Sequence, residues 1–177
     1  MSLFSSLFKK KQESRQLVER DQIGEEISRP EPISAKMSDF FSQLPSWIGD
    51  EKRWGYSKDD AFIMARDNHM GGIRSEYGFA EFRSKVEVRE KLKMVYEGME
   101  RYKQRLVDDG PNHFDVLSIK VYLFTNEDWE FLKNDYESHN SYKDDEEGRK
   151  RHTRLRNERI KYYMTECWFN INSFYKE

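Results

Sequence analysis

The chain has 177 residues, with 31 Lys and Arg against 33 Asp and Glu, and a formal net charge of −2. Hydrophobic and charged residues each make up 36% of it, and 12 Phe, 10 Tyr and 4 Trp supply large side chains for a modest core. No apolar run approaches the roughly 18 residues of a membrane-spanning helix, and Cys167 is the only cysteine, so the composition excludes transmembrane, collagen-like, disulfide-scaffold and wholly disordered classes. We therefore expect a cytoplasmic protein in a reducing compartment.

The first eleven residues form a short amphipathic segment. Three lysines at 9–11 follow four apolar residues that share one face of a helical turn. The four apolar residues are Leu3, Phe4, Leu7 and Phe8. The charge follows the apolar part, which is the reverse of a secretory signal. One interpretation is a peripheral membrane contact through residues 1–11, and the other is a helix that is frayed or docked on a partner.

Two prolines separate this region from the rest of the chain. Pro30 and Pro32 disfavour helical conformation in the residues before them, which is typical of a linker. We therefore divide the chain into an N-terminal amphipathic segment with a flexible linker, residues 1–36, and a single helical domain, residues 37–177.

The apolar residues of the second half recur at helical intervals. From Phe82 to Leu106 they end in a strict three-four alternation, which is typical of a coiled-coil seam, and those from Ile160 to Phe174 follow helical spacing too. These patterns predict a mainly α protein with short helices at 38–44 and from Ser57 to Gly72, followed by an antiparallel bundle of three long helices at about 79–108, 113–138 and 143–175.

One segment leaves an alternative open. Residues 114–124 alternate between apolar and polar side chains, as in a half-buried strand, with Leu117, Ile119, Val121 and Leu123 on one side. A strand needs partners, and no second run shows a convincing two-residue period. The helix is therefore preferred, and an α+β fold with a strand at 114–124 is the alternative.

The small net charge conceals two blocks of opposite sign. Residues 111–148 contain 3 basic and 10 acidic side chains, whereas residues 149–161 contain 7 basic and 1 acidic. Because such clusters neutralise phosphates, four residues are candidates for binding nucleic acid or another anionic partner: Lys150, Arg151, Arg154 and Lys161. Alternatively, if the chain reverses near residue 141, the basic block pairs with acids between residues 127 and 137.

Signals for catalysis and for metal binding are weak. The four histidines lack metal-binding spacing and no common metal or phosphate motif occurs, so we expect no metal and no cofactor. Asp67 and His69 could form a carboxylate-oriented base, although residues two apart on a helix do not face each other. Cys167 lies on an apolar face and is expected to be a buried structural thiol.

The stretch 47–56 is rich in aromatic residues. Trp47, Trp54 and Tyr56 either pack in the core or form an exposed patch that binds a partner, since Trp and Tyr contribute strongly to interface energies.

These features favour a non-enzymatic protein that acts through protein–protein interaction on a charged and aromatic surface. It would serve as an accessory or structural component, or as an antitoxin-like or immunity-like inhibitor, and as a homodimer if the seam at 82–106 joins two copies. The alternative is a nucleic-acid-associated protein that uses residues 149–161. A third hypothesis is a small hydrolase or nuclease centred on Asp67 and His69.

Overall fold

The computed structural model describes residues 23–42, 44, 46, 48–63 and 72–173. These residues form an α+β fold with one mixed sheet. Its three helices are α1 (Gly72–Glu87), α2 (Asn126–Ser138) and α3 (Glu146–Arg159). Its strands are β1 (Glu25–Glu26), β2 (Phe62–Ile63), β3 (Val95–Asp109), β4 (Asn112–Phe124) and β5 (Lys161–Asn170).

Three long antiparallel strands form the body of the sheet. β4 lies between β3 and β5, and the hairpin from β3 to β4 turns at Gly110, whose φ of 61° is a left-handed conformation that favours glycine. The outer edge of β5 carries two short parallel strands, β1 at its beginning and β2 at its end. The outer edge of β3 has no strand partner among the described residues.

The helices lie on opposite faces of the sheet. Because side chains alternate along a strand, the odd-numbered apolar residues of β4 share one face, where they pack against Phe79, Ala80 and Val86 of α1. Phe124 points to the other face and packs against Leu132 of α2 and Ile160, the residue after α3. The two-helix unit of α2 and α3, the helical hairpin, therefore lies at one end of that second face.

A buried arginine ties α1 to the outer edge of β5. Arg83 is fully buried and lies beside Glu87, with 3.5 Å between its Nε and the carboxylate. It donates hydrogen bonds of 2.8 to 3.1 Å to one hydroxyl and three backbone carbonyls, those of Thr165 and of Trp54, Gly55 and Glu166. All these contacts are internal, so Arg83 has a structural role.

The bundle of three long helices predicted from the sequence is wrong, and the α+β alternative with a strand at 114–124 is confirmed. Each predicted long helix is half helix and half strand: 79–108 spans the end of α1 and β3, 113–138 spans β4 and α2, and 143–175 spans α3 and β5. The predicted coiled coil is wrong too, because residues 82–106 run from α1 through a π-helical turn, Val88–Leu92, into an edge strand. The homodimer stays a prediction, but the coiled-coil seam at residues 82–106 no longer supports it.

The misleading spacing in β3 has a physical origin. The pairing of β3 with β4 skips Glu97 and Tyr102, so each of these residues is the extra residue of a β-bulge. A bulge shifts the alternation by one position, and apolar residues then recur after three or four residues, as they do in a helix. The strand at 114–124 has a second partner, β5, whose buried residues alternate from Tyr163 to Phe169. The sequence pattern of residues 161–170 was interpreted as helical, so this partner was not expected.

The N-terminal region also differs from the expected short helices. Where a helix at 38–44 is predicted, the described residues form a 3-10 turn, Met37–Asp39. In the helix predicted from Ser57 to Gly72, Phe62 and Ile63 belong to a strand, and residues 64–71 lie outside the described residues. The boundary at residue 36 stays a prediction; Ile33 and Met37 on either side of it are buried in the same core. Within the part of the chain that the structure describes, no helix has both the length and the apolar character to cross a membrane.

Candidate functional site

Side-chain caps define where both helices of the hairpin begin. Thr125 Oγ1 accepts a hydrogen bond of 3.0 Å from the backbone N–H of Asp128, and Asp145 Oδ1 accepts one of 2.8 Å from that of Gly148. Such a cap contributes about 1 kcal/mol. Gly148 is required at its position because a Cβ atom there would collide with the Asp145 carboxylate and the Tyr142 ring.

The turn between the helices is held by a buried tyrosine. Asn140, Ser141 and Tyr142 have φ angles of 48°, 57° and 52°, a conformation that costs a residue other than glycine roughly 1–2 kcal/mol. The Tyr142 hydroxyl donates to Asp135 Oδ2 at 2.7 Å and accepts from Arg151 Nη2 at 2.9 Å. These contacts to both helices stabilise the strained turn and fix the distance between the helices.

Asp135 also orients a histidine of α3. His152 Nδ1 lies 2.8 Å from Asp135 Oδ2, and since a carboxylate accepts, this nitrogen carries the proton. The hydrogen bond from His152, and after it the one from Tyr142, hold the pKa of Asp135 below its ordinary value. Asp135 therefore stays ionised and fixes the orientation of the His152 ring.

An open cavity of about 440 Å³ lies between the helical hairpin and the end of the sheet where β3 begins and β4 ends. We call it the aromatic groove. Its apolar wall is formed by Phe124, Trp129, Leu132 and Tyr136, and its polar wall by Glu97, Lys133, His152 and Arg156. Trp129 and Tyr136 remain 37% and 44% exposed, so two large aromatic side chains beside this cavity stay accessible to solvent. The volume lies within the range of about 300–1,000 Å³ that is common for binding sites.

The first β-bulge of β3 places a carboxylate in this groove. Glu97 pairs with Arg156 of α3, whose guanidinium lies 5.9 Å from the centre of the Phe124 ring. Bulges commonly re-aim a side chain near a functional site. Glu97 and Arg156 also border a second cavity of about 290 Å³, so the ion pair forms a wall common to both cavities.

The lining of the groove carries two cations, Lys133 and Arg156, and one carboxylate, Glu97. A second carboxylate, Asp135, contacts the lining residue His152. Lys133 is exposed and forms no ion pair with any described residue. The groove therefore combines an apolar aromatic wall with an unneutralised cation.

The four basic residues singled out in the sequence lie on or beside α3, and three of them contact other side chains. Lys150 contacts Glu146 and Glu147, Arg151 contacts Tyr142 and Asp135, and Lys161 contacts Glu25. Arg154 is exposed and makes no ion pair within the described residues. Among the described residues, the basic block pairs with acids between residues 127 and 137 at two places, Asp135 with Arg151 at 3.7 Å and Asp128 with Arg159 at 3.5 Å.

The other predicted site residues do not join the groove. Trp54 is buried and donates from Nε1 to the Ala35 carbonyl at 2.8 Å, and the Tyr56 hydroxyl accepts from the Ile33 N–H at 3.1 Å. Cys167 is buried, and burial raises its pKa to about 11, as expected for a structural thiol. Several candidates lie outside the described residues: Leu3, Phe4, Leu7, Phe8, Trp47, Asp67 and His69.

A buried pair of carboxyl groups lies apart from the groove, between α1 and the β3–β4 hairpin. Glu76 and Asp115 are 3% and 6% exposed, and Glu76 Oε2 and Asp115 Oδ1 have no hydrogen-bond partner among the described residues. Gln104 Nε2 donates to the other Asp115 oxygen at 2.5 Å. Burial, and after it the charge of Asp115, raise the pKa of Glu76 to about 8. Glu76 is therefore mostly protonated at neutral pH.

The sequence carries a signal for the groove in the spacing of residues on two helices. Trp129, Leu132 and Tyr136 recur after three and four residues on α2, and His152 and Arg156 are four apart on α3. This spacing was compatible with a buried helix face. The spacing does not indicate that this helix face borders an open cavity, because that depends on where β3 begins and where β4 ends.

No family model matches the sequence, and neither the curated proteins nor the solved structures contain a match. In the described ranges, no group of three or more His, Cys, Asp or Glu side chains is arranged to hold a metal ion. The functional argument therefore starts from the groove.

Proposed function

We propose that this protein is an interaction module that binds a short segment of a partner protein in the aromatic groove. The observation that carries the proposal is the exposure of Trp129 and Tyr136 at the wall of an apolar cavity of about 440 Å³. Large aromatic residues in partly open pockets are the side chains that contribute most to protein–protein affinity. A partner that covers them removes apolar surface from water, which favours binding.

The groove is built before any partner arrives. The helix caps, the Tyr142 hydroxyl with its two partners, and the ion pair of Glu97 with Arg156 all hold its walls through contacts within the chain. A rigid site loses less conformational entropy on binding than a flexible one. The cavity has room for the anchoring side chains of a short segment, and its wall along α2 suits an amphipathic helix or an extended peptide.

The experiment is a selection of displayed random peptides on the immobilised full chain, followed by affinity measurements with single peptides. We expect the selected peptides to share apolar or aromatic anchors and to lose at least about tenfold in affinity with Trp129→Ala or Tyr136→Ala.

A matched control lies on the same helix. Phe131 is 46% exposed, does not line the groove and packs beneath Arg159, so Phe131→Ala should leave peptide affinity unchanged. A selection that enriches no peptides, or peptides equally sensitive to all three substitutions, contradicts the proposed site.

A second candidate function, nucleic-acid binding, is favoured by one observation. Arg149 and Arg154 of α3 are exposed and have no ion pair within the described residues, so two cations are available for phosphates. Retention of a single-stranded oligonucleotide that falls with salt and with Arg149→Glu/Arg154→Glu supports this function. The control is Lys91→Glu/Lys103→Glu, which changes the net charge equally at exposed positions outside α3. Equal loss in both variants, or no retention at low salt, contradicts it.

A further inference from the structure

We infer that the segment bound in the aromatic groove carries a carboxylate next to an aromatic anchor, and that Lys133 and Arg156 bind this carboxylate. The inference rests on the proposed function and names the chemistry of the ligand. Its basis is the state of the two cations: Lys133 has no ion pair among the described residues, and Arg156 has one, with Glu97.

Lys133 is the first of the two cations. It follows Leu132 on α2 and lies three residues before Tyr136, so it stands at the rim of the apolar wall. Because no described residue pairs with it, a ligand carboxylate gains this contact without breaking another. An ammonium group binds as a point charge and tolerates several approach directions.

Arg156 is the second cation, and it retains donors. The guanidinium carries five N–H donors, and its one ion pair among the described residues, that with Glu97, runs from Nη2. The contact with the Phe124 ring is a cation–π contact at 5.9 Å from the ring centre and not a hydrogen bond. A second carboxylate can therefore bind Arg156 while Glu97 remains in place and holds the side chain in position.

The apolar wall of the groove favours an aromatic ring in the ligand. Phe124 and Trp129 lie with ring centroids 6.1 Å apart, and Tyr136 and His152 lie 5.5 Å apart, so the cavity is bordered by two pairs of rings. Aromatic rings favour edge-to-face or offset contacts with such walls. A ligand that joins an aromatic ring to a carboxylate through a short linker satisfies both walls at once.

The experiment compares two probes of nearly the same shape. N-acetylphenylalanine carries the aromatic ring and the carboxylate, and N-acetylphenylalaninamide replaces the carboxylate with an amide. Each is titrated into the full-length protein while NMR follows the indole N–H of Trp129. We expect the acid to bind roughly tenfold more tightly or better than the amide, which corresponds to one charge-assisted contact.

Variants test which cation is responsible. Lys133→Gln should remove most of the difference between the two probes, and Arg156→Gln should reduce it too, whereas Arg154→Gln should leave it unchanged because Arg154 lies on α3 outside the groove. Lys133 is exposed, so its substitution is compatible with folding.

The outcomes separate the two proposals. If the acid and the amide bind equally at Trp129, binding in the groove is supported and the inferred recognition of a carboxylate is overturned. Absence of any shift with both probes overturns both proposals. A shift at Trp129 produced by a single-stranded oligonucleotide but by neither probe assigns the cations to nucleic acid and also overturns the inference.

Discussion

Replacement of Glu76 by glutamine should remove a defined dependence of stability on pH. Glu76 and Asp115 face each other in a buried place where two ionised carboxylates would repel, so the folded chain keeps a proton on the pair. The amide in Glu76→Gln has the same shape as a protonated carboxyl group and can donate to Asp115. It does not titrate in either the folded or the unfolded chain.

The magnitude follows from the pKa of Glu76, which rises from 4.5 to about 8 on folding. Because the folded-state pKa is the higher one, the stabilising effect of this proton is complete below pH 4.5 and is lost as the pH rises through about 8. A difference of one bound proton changes the free energy of unfolding by about 1.4 kcal/mol per pH unit. Between about pH 5 and 7, the wild-type chain should therefore lose roughly 2–3 kcal/mol through Glu76.

Urea unfolding at pH 5, 6 and 7, followed by tryptophan fluorescence, measures this loss. We expect the free energy of unfolding to fall with pH in the wild type and to fall much less in Glu76→Gln, with unchanged m values. The control is Glu81→Gln on the same helix, where an exposed carboxylate lies 2.8 Å from Lys85. It should keep the wild-type slope. A wild-type slope no steeper than that of Glu76→Gln refutes the reasoning.

Three further predictions concern the scaffold. Gly148→Ala should lower the free energy of unfolding by about 1–3 kcal/mol, measured by urea unfolding, because the added methyl group collides with the Tyr142 ring; an unchanged midpoint contradicts this. Arg83→Met should cost about 3–5 kcal/mol because it leaves Glu87 as a buried unpaired charge, and the double variant Arg83→Met/Glu87→Gln should recover part of the loss in thermal unfolding. Cys167 should react with a thiol reagent only after unfolding, since it is buried and its pKa is raised to about 11.

The helical hairpin could be predicted in part because its determinants are local. Asp145 caps α3, and glutamates in the first turn of α3 pair with Lys150, so acids and bases close in sequence define that helix. The reversal expected near residue 141 occurs at the turn of Asn140 to Tyr142. The strand at 114–124 is also visible in the sequence as the alternative, since Leu117, Ile119, Val121 and Leu123 alternate with their neighbours and share one face of β4.

The groove could not be predicted because its walls come from four elements that meet only in the folded chain. Glu97 reaches Arg156 because a bulge in β3 inserts one residue, and no local pattern in the sequence marks a bulge. Phe124 borders the groove because β4 ends beside the beginning of β3, in a register set by the hairpin turn at Gly110.

The sequence by itself determined the end of α2 near residue 138, the reversal near residue 141 and the segregation of charge, because turns and pairs of nearby charges act over a few residues. It offered the central strand only as an alternative to a helix. Only the tertiary structure decided that the apolar residues of 95–109 and 161–170 form strands, because a strand requires hydrogen bonds to a partner, and β5 reaches β4 from beyond the helical hairpin in the chain. The same long-range pairing decided which aromatic residues were buried, as Trp54 is, and which stayed open to solvent, as Trp129 and Tyr136 do.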